Sequence, residues 1–112
     1  MILYGIPNCD MVRKARKFLE TNNIQYTFHD FRKDGLSVKT IQRWLERQPM
    51  DVLVNKRSTG WKQITDEQKA LLMSTENLSI LTELPTLIKR PILEMDTHIL
   101  VGFKVAEYET IA

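Results

Sequence analysis

Residues 2–28 read ILYGIPNCDMVRKARKFLETNNIQYTF. Ile2-Leu3-Tyr4 is short and rich in strand-forming side chains. Gly5-Ile6-Pro7-Asn8 interrupts it with turn chemistry. From Asp10 to about Asn22 the apolar period becomes helical, with Val12, Ala15 and Leu19 on one face and Met11 and Phe18 beside them. Asn22-Asn23 ends that helix, and Tyr26-Thr27-Phe28 reads as a second strand. Strand, helix and strand within about 30 residues define a βαβ unit, whose strands run parallel and whose crossover is right-handed.

Working outward, Asp34-Gly35 makes a turn. Ser37 caps a helix reaching about Arg47, with Val38, Ile41, Trp44 and Leu45 as its apolar face. Gln48-Pro49 stops it. Thr65 and Gln68 have capping-box spacing at the head of a helix carrying Ala70, Leu71 and Leu72. A short helix follows around Leu78 to Leu81. Near the C-terminus, Ile92 to Met95 and Ile99 to Val101 flank a tight turn at Asp96-Thr97, the signature of an antiparallel hairpin. Val105 to Thr110 suits a closing helix. With the middle helices set aside, this is the element order of thioredoxin. The expectation is one α/β domain over residues 1–112, with a thioredoxin-like β-α-β, helical insertion, β-β-α order. It has a mixed four-stranded sheet, and the insertion spans about 32–84.

The 112 residues fit one domain, 43% of them are hydrophobic, and the 27% charged fraction is that of an ordinary globular chain. No apolar run approaches the roughly 20 residues needed to cross a bilayer. The N-terminus is too short and uncharged for a signal peptide, so a cytoplasmic location is expected. Sixteen basic and fourteen acidic residues give a net charge of +2, too weak to argue for nucleic acid. The charge is nonetheless uneven: Arg13, Lys14, Arg16 and Lys17 cluster, as do Lys89 and Arg90. A solvated helix face is the simplest account of such runs.

Cys9 is the single cysteine, which excludes an internal disulfide and a cysteine-based metal site. A lone cysteine is usually a small buried hydrophobe. This one stands between a strand-end loop and the first turn of a helix, where unpaired N–H groups and the helix dipole favour thiolate over thiol. Arg13, one turn on, is placed to add positive charge on the same side. With Asp10-Met11-Val12 following, there is no Cys-x-x-Cys. Any mixed disulfide at Cys9 therefore needs an outside thiol to resolve it. Lys89-Arg90-Pro91 precedes the hairpin. Its proline is cis or trans without the sequence deciding, and Arg90 presents a planar guanidinium suited to oxyanions if it is not simply a surface residue. Arg57, in the polar stretch Asn55 to Trp61, either points toward Cys9 or is a solvated loop residue. His29 and His98 read as structural or surface residues.

The ordered set Tyr4-Gly5-Ile6, Asn8-Cys9-Asp10, Lys14-Ala15-Arg16, Phe28-His29-Asp30, Asp34-Gly35-Leu36, Arg57-x-Thr59-x-Trp61, Ile88 to Leu93 and Leu100 to Phe103 resembles the YffB branch of the ArsC (arsenate reductase-like) family. It is related to the Spx regulators, which share the fold. The resemblance runs from end to end. It implies a bacterial, cytoplasmic, glutathione-dependent thiol reductase with Cys9 as nucleophile and Arg13 beside it. Asn8, Arg57, Arg90 and Pro91 are then the positions that hold substrate or glutathione. Glutaredoxin-linked arsenate reductases carry His-x3-Cys-x3-Arg at the nucleophile. Here Cys9 and Arg13 match, but Gly5 stands in place of the histidine. Gly102 stands where those enzymes have a third arginine, which argues against arsenate as substrate. The expected chain is a monomer with no bound cofactor. Glutathione serves as co-substrate, glutaredoxin is a candidate partner, and there is no direct nucleic-acid or membrane partner. The rival implied by the Spx relationship is a non-catalytic adaptor that binds RNA polymerase; a second rival is an arsenate reductase.

Overall fold

A computed structural model describes residues 1–112. The chain divides into two compact units, one formed by 1–34 with 90–112 and the other by 35–89.

The first unit holds the sheet. Strands β1 (Ile2–Gly5), β2 (Thr27–Asp30), β3 (Ile92–Glu94) and β4 (Ile99–Val101) lie in the order β2-β1-β3-β4. β1 pairs parallel with β2, while β1–β3 and β3–β4 are antiparallel. Helices α1 (Asp10–Thr21) and α7 (Val105–Glu109) complete the unit. The strand period of two puts Leu3, Leu93 and Leu100 on one face. There they meet Ala15 and Leu19 of α1 and Tyr108 of α7 in a core to which Phe18, Phe28 and Phe103 add their edges. The Phe103 and Tyr108 rings stand edge to face at 4.7 Å, and Phe18 meets Tyr108 at 5.7 Å, geometry that adds to burial.

α1 ends as its asparagines require. Asn23 takes φ 57° and the Ile24 N–H returns to the Leu19 carbonyl, the left-handed stop that asparagine tolerates. The second strand begins one residue later than the sequence suggests. Tyr26 sends its ring to α1 instead, where its hydroxyl accepts from Arg16 Nε at 3.1 Å and donates to Glu20 at 3.0 Å.

The second unit is helical: α2 (Val38–Leu45), α3 (Met50–Leu53), α4 (Thr59–Gln63), α5 (Asp66–Met73) and α6 (Ser79–Glu83), then a 3-10 turn over Pro85–Leu87. Ser37 caps α2 through the Thr40 N–H, and Thr65 with Gln68 forms the reciprocal capping box of α5. Ile41 and Trp44 are fully buried, but Val38, expected on the same face, is exposed. On α5 only Leu72 is buried; Ala70 faces outward. α3 and α4 were not legible, because four- and five-residue helices are too short to display a period. An isolated bridge between Val54 and Ile88 joins the residue after α3 to the end of this unit.

Candidate functional site

Cys9 is the N-cap of α1, with φ −97° and ψ 128°. Two backbone bonds set it there: its N–H donates to the Ile6 carbonyl, and its carbonyl accepts the first helical bond, from the Arg13 N–H at 2.9 Å. The sulfur forms no capping hydrogen bond of standard geometry, but the Val12 and Met11 N–H groups are directed at it. These are two of the donors that every helix leaves unpaired in its first turn.

The guanidinium that reaches Cys9 is that of Arg90, by hydrogen bond and by charge. The sheet register explains this. Antiparallel pairing sets Tyr4 opposite Ile92, so the residues just before β3 lie beside the loop just after β1. Arg90 is half-buried, and the Arg90–Pro91 bond is cis. Partial burial pushes the Cys9 thiol up. The Val12 N–H, the Arg90 guanidinium and the Met11 N–H push it down and together prevail, so the group lies below the ordinary thiol value. The site therefore holds a half-buried sulfur biased toward thiolate, with an arginine fork at hand for an anion.

Arg13 plays a different part from the one its spacing suggests. Its guanidinium pairs with Asp10 on the exposed side of α1, an i,i+3 pair that the sequence does contain. Asn8 is exposed and Pro91 buried. Arg57 belongs to the helical unit, where it is exposed and its N–H donates to Asn55 Oδ1 at 3.1 Å. Trp61 lies beside the Lys56 and Lys69 ammonium groups, at 5.9 and 5.4 Å from its ring centre. His29 packs on the Tyr4 ring at 4.9 Å, and His98 is exposed in the β3–β4 turn. The unpaired N–H groups expected at the sulfur are those of Met11 and Val12; what the sequence did not show is that the guanidinium acting on the sulfur beside them is that of Arg90.

Two glycines lie in the segments that flank Cys9 and Pro91. A Cβ on Gly5 would stand 2.7 Å from Val12 Cγ2, on the first turn of α1. Gly102 has φ 77° and donates its N–H to the Pro91 carbonyl at 2.8 Å.

A mixed four-stranded sheet with βαβ and ββα halves, and one cysteine at the mouth of its first helix, defines a thioredoxin-like α/β protein. The model of the ArsC family matches residues 4–111, and the chain belongs to that family. It is similar to an uncharacterized protein of Haemophilus influenzae, 47% identical over 96% of this chain and 94% of that one. The solved structure of a YffB protein superposes with a TM-score of 0.90 at 33% identity, covering 97% of this chain and 96% of the other. The global transcriptional regulator Spx of Lactiplantibacillus plantarum is 28% identical over 96% of this chain and 82% of its own length. No helix is long and apolar enough to cross a membrane.

Proposed function

We propose that this protein is a monothiol reductase in which the Cys9 thiolate attacks an oxidised sulfur substrate and glutathione or a glutaredoxin restores it. The observation that carries the reading is the convergence of the Met11 and Val12 N–H groups and the Arg90 guanidinium on one half-buried sulfur. A structural cysteine has no need of a stabilised thiolate.

With a glutathione mixed disulfide as substrate, the Cys9 sulfur attacks the glutathionyl sulfur, the S–S bond breaks and the substrate thiolate departs. A second glutathione thiolate then attacks the Cys9–glutathionyl bond, releasing oxidised glutathione and the Cys9 thiolate. The outside thiol is required because Cys9 has no partner cysteine. Arg90, with Asn8, would hold the glutathione carboxylates, and Pro91 would line the same subsite. Arg13 is the weaker member of the set, since Asp10 already occupies it.

Intact-mass measurement after incubation with oxidised glutathione tests this. One glutathionyl adduct per chain, absent in Cys9→Ser and removed by reduced glutathione, is expected. An unreactive Cys9 at neutral pH refutes the reading.

The similarity to Spx favours a second reading, an adaptor that docks on RNA polymerase without turnover. Co-purification with RNA polymerase alongside an inert Cys9 would establish it. Arsenate is a poor fit as substrate. A doubly charged oxyanion beside a thiolate needs several cationic donors, and Gly5 and Gly102 occupy two of the positions that supply them in the glutaredoxin-linked reductases. A coupled assay with glutathione and glutaredoxin, run with arsenate, checks this.

A further inference from the structure

The basic run on α1 is only partly accounted for by the fold. Arg13 pairs with Asp10. Arg16 binds the Tyr26 hydroxyl and lies over the Phe28 ring at 4.2 Å. Lys14 and Lys17 are exposed, and neither forms an ion pair. They border a trough of about 310 Å³ whose other walls are Phe18, Thr21, Asn22 and Phe103.

Lys14, Lys17, Phe18 and Thr21 are spaced i, i+3, i+4, i+7, so they form one continuous stripe along about 10 Å of α1. Met11, one turn toward Cys9 on the same stripe, is 39% exposed. The surface is thus an apolar strip with aromatic edges and unpaired ammonium groups beside it. Phe18 and Phe103 are only partly buried in the core they edge, and each leaves apolar surface lining the trough.

We propose that this trough is the docking site for an acidic amphipathic segment of a partner protein. One or two bulky apolar side chains would seat against Phe18 and Phe103, flanked by carboxylates that meet Lys14 and Lys17. Charge complementarity selects the partner: unpaired lysines at an apolar surface attract carboxylates and repel basic segments. The trough is open to solvent along its length. It therefore suits a helix laid into a groove better than a small molecule, which binds by near-complete enclosure. The apolar anchors supply most of the affinity and the exposed charge pairs most of the selectivity.

The test uses the full chain, isotope-labelled for amide NMR. It is titrated with a synthetic amphipathic helical peptide about three turns long, with Leu and Phe on one face and Glu elsewhere. A Glu→Gln version and a Glu→Lys version of the peptide serve as comparisons, as do vesicles containing phosphatidylserine. Saturable shifts confined to residues 11–22 and around Phe103 are expected with the acidic peptide. Affinity should fall more than tenfold in Lys14→Glu/Lys17→Glu and should weaken as salt is raised. The rate of Cys9 alkylation should stay unchanged in that variant. Equal binding of the Gln peptide, shifts mapping elsewhere, or binding of vesicles without binding of the peptide would each overturn the proposal. Salt dependence in the unaltered chain decides the matter even if the double variant folds poorly.

Discussion

Replacing Arg90 by alanine removes both the hydrogen bond and the charge that this residue directs at Cys9, and leaves the Met11 and Val12 N–H groups in place. A hydrogen bond to a charged group contributes about 1.5–3 kcal/mol. Both partners here are half-buried, so solvent screening reduces that to roughly 1–1.4 kcal/mol. At about 1.4 kcal/mol per factor of ten, the thiolate population at a given pH below the midpoint falls about five- to tenfold. The rate falls less, because a more basic thiolate is a better nucleophile, with a Brønsted slope of about 0.4–0.5. Alkylation by iodoacetamide should therefore slow only about two- to fourfold on the acid side. On the alkaline side, above both midpoints, the variant should react faster than the parent by a similar factor. The two pH–rate curves must cross. Arg90→Lys, which keeps the charge and loses the planar fork, should fall between them. Arg13→Ala should superpose on the parent, because Arg13 is paired with Asp10. If the Arg90→Ala curve superposes instead, or if Arg13→Ala is the variant that shifts, the assignment of Arg90 to the sulfur is wrong.

The Cys9 thiol lies below its ordinary value in the folded chain, so its thiolate stabilises the fold fully above the unfolded value of about 8.5. That contribution is lost as pH falls through the folded value. The unfolding free energy of the parent minus that of Cys9→Ser should accordingly rise with pH toward about 8.5, and a flat or falling difference in denaturant titrations would contradict this. Gly5→His should destabilise by about 1–3 kcal/mol through overpacking against Val12. Its cost should shrink by about 1 kcal/mol or more in a Val12→Ala background, as a double-mutant cycle would read; an unchanged cost would remove the steric account. Thr75, a β-branched residue at φ 65° just beyond α5, occupies a position that favours glycine. Thr75→Gly should raise the melting temperature, corresponding to about 1 kcal/mol, and a lower one would refute the strain.

The βαβ opening was legible because its signals are local. Val12, Ala15 and Leu19 share a face by helical spacing, Asn23 can turn left-handed, and Cys9 stands where a helix must begin. The hairpin and the Thr65–Gln68 capping box were legible for the same reason. So was the placement of Cys9 over unpaired N–H groups, since any helix has them. Short elements such as Thr59–Gln63, and the exposure of Val38 and Ala70, were not, because burial there depends on what packs from elsewhere in the chain.

The arginine that meets the sulfur was decided by tertiary structure. In sequence, Arg13 is the cation nearest Cys9 and Arg90 is distant. An exposed i,i+3 pairing with Asp10 occupies the first. The antiparallel register that sets Tyr4 opposite Ile92 delivers the second, because a strand pair joins the end of one segment to the beginning of the other whatever chain length separates them. The sequence by itself determined that a cysteine would cap a helix in a thioredoxin-like order. Which positive charge that sulfur would meet followed from strand register, a property of no single residue.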